Sequence, residues 1–94
     1  MLAELDERRF LILRLASLNK IEAVAVFGSV ARGEESETSD VDFVVDPSAD
    51  ASLFDLAQFE EDMELLLGRP VDVISRRSLD PERDRIILQE AVAL

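Results

Sequence analysis

The chain contains no cysteine and no histidine, which removes two large classes of protein chemistry. Without cysteine there can be no disulfide bond and no thiolate metal site. Without histidine there is no imidazole base and no usual zinc ligand. Tyrosine is absent as well, so the chain cannot modify a tyrosine of its own. Acid–base or metal chemistry must therefore depend on carboxylates, hydroxyl groups and arginine.

Basic residues are also scarce. Lysine and arginine number 10 against 21 aspartates and glutamates, which gives a formal net charge of −11. Binding to nucleic acid normally requires a basic stripe that displaces counterions, and no such stripe is visible. We therefore expect no direct contact with nucleic acid. An acidic surface of this kind favours divalent cations and a basic protein partner.

Long apolar segments are missing too. Apolar runs such as residues 10–13 are far shorter than a membrane span, and the N-terminus lacks the pattern of a cleavable signal. We therefore expect no membrane association and a cytoplasmic protein. At 94 residues the chain is predicted to form one domain, residues 1–94, around one small core.

Apolar residues at helical spacing alternate along the chain with short β-branched segments, which predicts an α/β (α+β) fold. We expect a small mixed β-sheet with flanking helices. Ser52 or Asp50 is a candidate cap for the central helix, and Gly68 is expected to end it. The tail, residues 91–94, either continues the last helix or adds an edge strand. The predicted elements are a helix over 2–18, strands over 21–27 and 41–46, a helix over 51–67, a strand over 71–75, and a helix from Asp80-Pro81 to about residue 90.

The first candidate for chemistry is Gly28-Ser29, at the end of the first predicted strand and followed by Arg32. A strand that turns through Gly-Ser into a helical turn directs backbone N–H groups and the helix dipole towards one point, where negative charge is favoured. Ser29 adds a hydroxyl group, and Arg32 could bring its guanidinium to the same phosphate. The alternative is a simple turn with a helix cap, because Gly-Ser pairs are common.

Three aspartates form the second candidate. Asp40 and Asp42 are two residues apart, so on a strand both carboxylates would project from one face. Such a pair repels itself unless a cation lies between the two groups, and hard oxygen ligands suit Mg²⁺ or Mn²⁺. Asp72, in an apolar strand, could join them if that strand lies beside the second. Solvated surface aspartates are the alternative for all three.

The combination of these features, within GSVARGEESETSDVDFVV and the later Asp72, resembles the polymerase-β-type nucleotidyltransferase superfamily. It resembles more closely the minimal nucleotidyltransferases, the MNT or MntA-type antitoxins of HEPN/MNT toxin–antitoxin pairs. The resemblance covers nearly the whole chain and implies a nucleotidyltransferase (polymerase-β-like) core. It implies the following nucleotide-binding residues: Gly28, Ser29, Arg32 and Ser39. It also implies that Asp40, Asp42 and Asp72 are the catalytic and metal-binding carboxylates.

The activity implied by this resemblance is Mg²⁺-dependent transfer of AMP from ATP to a hydroxyl group of a partner protein, with Mn²⁺ as a possible substitute. The partner implied is a HEPN-domain toxin, which the chain would inactivate as its antitoxin. Two alternatives remain open. The chain could neutralise its partner by binding alone, or it could transfer a nucleotide to a small molecule. The absence of a further substrate domain in this sequence argues against the small molecule.

Overall fold

A computed structural model describes all 94 residues, and its helices and strands form a mixed α/β fold, as predicted. No helix is long and apolar enough to span a bilayer. The strands are β1 (Ile21–Phe27), β2 (Val41–Pro47), β3 (Val71–Ser75) and β4 (Val92–Ala93). The helices are α1 (Leu2–Glu7), α2 (Arg9–Leu18), α3 (Gly28–Arg32), α4 (Leu53–Leu67) and α5 (Arg85–Glu90), with a single 3-10 turn at Arg76–Ser78.

The four strands form one mixed sheet in the order β3-β2-β1-β4. β1 is antiparallel to both β2 and β4, whereas β2 and β3 are parallel. Parallel neighbours need a crossover connection, which α4 supplies here between β2 and β3. The parallel register places Asp42 directly opposite Asp72. The pairing of β2 with β3 therefore brings together two of the predicted carboxylates.

The core lies between one face of the sheet and the helices. β2 contributes Val41, Phe43 and Val45, which are fully buried in the main hydrophobic cluster. α4 contributes Phe59, whose ring meets that of Phe43 edge to face at 6.4 Å between centroids. Because strand side chains alternate between faces, burying these β2 residues turns Asp42 to the opposite face.

The first helix is not continuous, contrary to the prediction of one helix over 2–18. It breaks at Arg8, whose N–H is shared by the carbonyl oxygens of Glu4 and Leu5 at 3.2 Å each. The Arg8 side chain donates to the Leu66 carbonyl at the end of α4, at 2.7 Å. Leu5 and Ile12, on either side of the break, are both buried in the core.

The last helix begins at Arg85, so the predicted start at Asp80-Pro81 is wrong. The Asp80 carboxylate accepts hydrogen bonds from the N–H groups of Glu82 and Arg83, which forms a local turn instead of a helix cap. At the other predicted boundaries, β2 extends one residue further, through Pro47, and α4 begins two residues later than predicted. The tail adopts the edge strand, β4, which was one of the two expectations for it.

Candidate active site

Asp42 and Asp72 lie side by side on the face of the sheet opposite the main core. They are register partners in the parallel pair of β2 and β3, and neighbouring strands lie about 4.8 Å apart. Asp42 is half-buried and Asp72 is exposed. The predicted adjacency of these two carboxylates is therefore present in the fold.

Asp40 is the exposed residue just before β2, which begins at Val41. Burial raises the pKa of Asp42, and the negative charges of Asp72 and then Asp40 raise it further. None of the ion pairs of the chain involves any of the three. They therefore form a cluster of like charges with no cationic side chain paired to it.

Gly28 brings the start of α3 against this cluster. Its φ of +73° lies in the left-handed region, which side chains with a Cβ rarely adopt. A Cβ atom at this position would lie 2.5 Å from Asp42 Oδ2. The contact follows from the pairing of β1 with β2, which sets Phe27 opposite Asp42. Ser29, in the first turn of α3, is half-buried beside it.

Arg32 is the last residue of α3, and its guanidinium is turned towards two glutamates. Arg32 Nη1 donates to Glu90 Oε2 at 3.0 Å, and Arg32 Nε donates to Glu34 Oε2 at 3.3 Å. These hydrogen bonds, first that to Glu90 and then that to Glu34, raise the pKa of Arg32. The charge of Arg32 in turn lowers the pKa of Asp42, so the two lie in one electrostatic neighbourhood. Glu90 was not found from the sequence, because it is 58 residues away and belongs to no motif.

Ser39 has a local role in the structure. Its Oγ accepts a hydrogen bond from the N–H of Ser36 at 2.8 Å and lies 3.1 Å from Ser36 Oγ. This short turn leads the chain into Asp40. The structure thus connects Ser39 to the loop before the carboxylates, and its predicted contact with nucleotide stays a prediction.

The two arginines after β3 lie at the other end of the sheet. Arg76 Nε pairs with Asp46 Oδ1 at 2.8 Å, and Arg77 donates to the Pro47 carbonyl at 2.6 Å. A cleft of about 530 Å³ between α4 and β3 opens beside Arg77. It contains none of the three aspartates, so we do not assign it to their chemistry.

A divalent cation fits the chemistry of the cluster, although the side chains are not gathered around it. No three acidic side chains already surround a common point at metal-binding distance. The donors are hard carboxylate oxygens, which Mg²⁺ and Mn²⁺ prefer, and none of them is paired with an arginine or lysine. Asp40 and Asp72 are exposed and can rotate towards Asp42. The residues therefore suit a cation whose binding would draw these two side chains inward.

Comparison with known proteins shows the family of the chain. The nucleotidyltransferase domain family matches residues 9–94. Protein adenylyltransferase MntA of Thermococcus cleftensis is 40% identical over 72 residues, which cover 77% of this chain and 73% of the relative. The MJ0435 protein of Methanocaldococcus jannaschii is 40% identical over 72 residues, 77% of each chain.

One solved structure shows the same family, and two others share the fold. One assigned to the minimal nucleotidyltransferases superposes with a TM-score of 0.86 at 41% identity, covering 99% of this chain and 95% of the other. A tri-AMPylated Shewanella oneidensis HEPN toxin in complex with MNT antitoxin gives a TM-score of 0.67 at 17% identity, over 94% and 69% of the two chains. A toxin–antitoxin structure with AMP-PNP gives 0.73 at 20%, over 87% and 68%. The last two likenesses concern the fold alone. The chain belongs to the nucleotidyltransferase domain family and, within it, to the minimal, MntA-type nucleotidyltransferases.

Proposed function

We propose that this nucleotidyltransferase transfers AMP from ATP to a hydroxyl group of a partner protein, and that the partner is a HEPN-domain toxin. The observation that carries the proposal is the placement of Asp42 opposite Asp72 in adjacent strands, with Gly28 in contact with Asp42. Carboxylate oxygens can bind a divalent metal ion, and a glycine turn at the start of a helix can bind phosphate, so together they suit a metal-bound triphosphate. Asp40 is the third proposed carboxylate.

The triphosphate is proposed to bind along the start of α3. The first N–H groups of a helix have no partner within the helix, so they can donate to phosphate oxygens. The Ser29 hydroxyl adds a donor in the same turn, and Arg32 adds a positive charge at the end of it. The missing Cβ of Gly28 lets the start of α3 lie directly against the Asp42 carboxylate, so phosphates bound at α3 would lie close to it. Positioning of this kind supplies much of the rate gain in phosphoryl-group chemistry.

Mg²⁺ is the proposed cofactor, and Asp40, Asp42 and Asp72 would hold it. When bound, the ion would neutralise phosphate charge and lower the pKa of the acceptor hydroxyl. The carboxylates of the chain itself orient this site, and one of them, Asp72, is exposed and could act as the base that accepts the acceptor proton. The proton would pass from the acceptor oxygen to the Asp72 carboxylate as that oxygen bonds to the α-phosphorus and the bond to pyrophosphate breaks.

The partner is proposed from charge and from the relatives. MntA of Thermococcus cleftensis is named as a protein adenylyltransferase, and an MNT antitoxin shares this fold in a complex with an AMPylated HEPN toxin. The net charge of −11 suits a basic partner surface, since opposite charges speed encounter between proteins. The proposed role is therefore that of an antitoxin acting by AMPylation.

The decisive experiment measures the intact mass of the partner. The chain would be incubated with ATP, Mg²⁺ and a candidate HEPN-domain partner protein. We expect the mass of the HEPN protein to rise by one or more AMP units, and the rise to disappear with Asp42→Asn or with chelator. Asp46→Asn is the matched control, because it removes the same charge from the same face of β2, at a site paired with Arg76.

Two other outcomes would replace the proposal. If Asp42→Asn neutralises the HEPN protein at equal stoichiometry with no mass change, the chain acts by binding alone. If AMP appears on an added small molecule and never on the protein, the acceptor is a small molecule. The absence of both transfer and nucleotide binding would contradict the nucleotidyl-transfer mechanism itself.

A further inference from the structure

The guanidinium of Arg32 is held between two carboxylates, one of which lies near the other end of the chain. Glu34 is only two residues from Arg32, whereas Glu90 is 58 residues away and ends α5. The contact with Glu90 is the shorter of the two, at 3.0 Å against 3.3 Å. The Arg32–Glu90 pair therefore fastens α5 to the end of α3.

The local charge opposes an anionic ligand at Arg32. One positive guanidinium lies between two negative carboxylates, so this group of three side chains has a net negative charge. The carboxylates also accept from Nε and Nη1, two donors that a phosphate could otherwise use. With both glutamates in place, Arg32 cannot offer its full charge and its full set of donors to a triphosphate.

The segment that carries Glu90 has no fully buried residue, although Leu94 at its end packs against the main hydrophobic cluster. α5 is six residues long and has no buried residue. β4 adds two residues, paired with Ala25 and Val26 at the edge of β1, and the N–H of Leu94 donates to the Val24 carbonyl at 3.0 Å. A short element with little buried surface opens at low free energy. Loss of the Arg32–Glu90 pair would therefore release a segment that is only weakly held.

We propose that Glu90 competes with the nucleotide triphosphate for Arg32, so that nucleotide binding breaks the Arg32–Glu90 pair and loosens α5 and β4. The inference rests on the proposed function, because it takes the triphosphate to bind at Arg32. Glu90 then lowers the affinity of the free protein for nucleotide. The Arg32–Glu90 pair also links nucleotide binding to how firmly residues 85–94 are held. Because the triphosphate and Glu90 exclude each other at Arg32, binding of one weakens the other.

The test is the affinity for AMP-PNP with Mg²⁺, measured by isothermal titration calorimetry. We expect Glu90→Gln to lower the Kd by roughly 5- to 10-fold, at the low end of the usual range of coupling between two interactions. Glu82→Gln is the matched control, because it removes the same charge near α5 from a side chain that makes no ion pair. Its Kd should equal that of the wild type. In an Arg32→Gln background, Glu90→Gln should have no effect.

Hydrogen exchange of residues 85–94 provides a second readout. AMP-PNP should speed exchange in the wild type, whereas in Glu90→Gln exchange should be fast already and change little. An unchanged or raised Kd in Glu90→Gln, or equal tightening in Glu82→Gln, would overturn the inference while leaving the proposed function intact. If the wild type and every variant fail to bind AMP-PNP, the proposed function falls together with the inference. Circular dichroism of each variant checks that it is folded.

Discussion

A Cβ atom on Gly28 would lie 2.5 Å from Asp42 Oδ2, closer than real Cβ atoms approach other atoms. We therefore expect Gly28→Ala to displace the Asp42 carboxylate or the start of α3. A displacement of about 1 Å in a catalytic site can lower the rate about 100-fold, and AMP transfer should fall on that order. The measurement is the initial rate of AMP transfer to the partner.

Gly33→Ala separates the effect of space from the effect of backbone conformation. Gly33 has nearly the same φ, +72°, but a Cβ there would meet nothing within 4 Å. Both variants should lose about 1 kcal/mol of unfolding free energy to backbone strain. Only Gly28→Ala should lose transfer activity as well. Equal activity in the two variants would show that the approach of Gly28 to Asp42 is unimportant.

A second prediction for single residues concerns the charge of Asp42 in the absence of divalent cations. Burial, followed by the charges of Asp72 and Asp40, raises the pKa of Asp42. Because the pKa of Asp42 is raised, the contribution of this group to stability is fully present at low pH and is lost as the pH rises through its folded-state value. At neutral pH we therefore expect Asp42→Asn to be more stable than the wild type, by less than about 1 kcal/mol because the side chain is partly exposed.

Urea unfolding measures this difference. In chelator at pH 7 the Asp42→Asn variant should have the higher midpoint, and the advantage should shrink as the pH falls through the raised folded-state pKa of Asp42 and be gone below the ordinary pKa of aspartate. Added Mg²⁺ should stabilise the wild type more than the variant, because a ligand that binds only the folded state adds to its stability. A variant that is less stable than the wild type in chelator would contradict the electrostatic argument.

At the scale of elements, α4 provides the crossover that makes β2 and β3 parallel, and its start is closed by a capping box. The N–H of Asp55 donates to Ser52 Oγ at 3.4 Å, and the N–H of Ser52 donates to Asp55 Oδ2 at 2.8 Å. Removing a serine cap costs about 1 kcal/mol, so Ser52→Ala should lower the unfolding free energy by roughly that amount.

Ser52→Asp is the control for the cap, since aspartate is about as good a capping residue as serine. It should keep most of the stability that Ser52→Ala loses, as measured by urea unfolding at pH 7. Equal losses in the two variants would mean that the serine contributes through another contact. Transfer activity should change little in either, because Ser52 lies near Pro47, at the end of β2 away from Asp42.

At the scale of the whole molecule, the net charge of −11 on 94 residues is the dominant electrostatic feature. Like charges repel within the compact state, and salt screens them over a Debye length of about 10 Å at 0.1 M. We therefore expect the melting temperature in chelator to rise with sodium chloride between about 0.05 and 0.5 M, on the order of 5 °C. Calorimetry measures the change, with potassium chloride as the control for ion identity. A melting temperature that falls with added salt would contradict the argument that repulsion between like charges destabilises the folded chain.

The sequence by itself determined the elements whose signals are local. β1 and β3 lie over the predicted residues, and α4 ends at Gly68 in the left-handed conformation, because alternation and glycine preference act over a few residues. The candidate site residues could also be named from the sequence, since Gly28, Ser29, Asp40 and Asp42 fall within one short segment. Their roles in binding and catalysis remain predictions.

The tertiary structure decided which of these residues meet. Asp72 lies opposite Asp42 because β2 and β3 pair in parallel, and periodicity cannot choose that pairing. The break between α1 and α2 falls at Arg8, whose side chain donates to the Leu66 carbonyl of α4, a contact that local spacing does not reveal. The link from Arg32 to Glu90 joins residues that no local pattern relates. Contacts between distant residues depend on packing of the whole chain, so spacing along the chain determines which residues are available and the fold decides which of them act together.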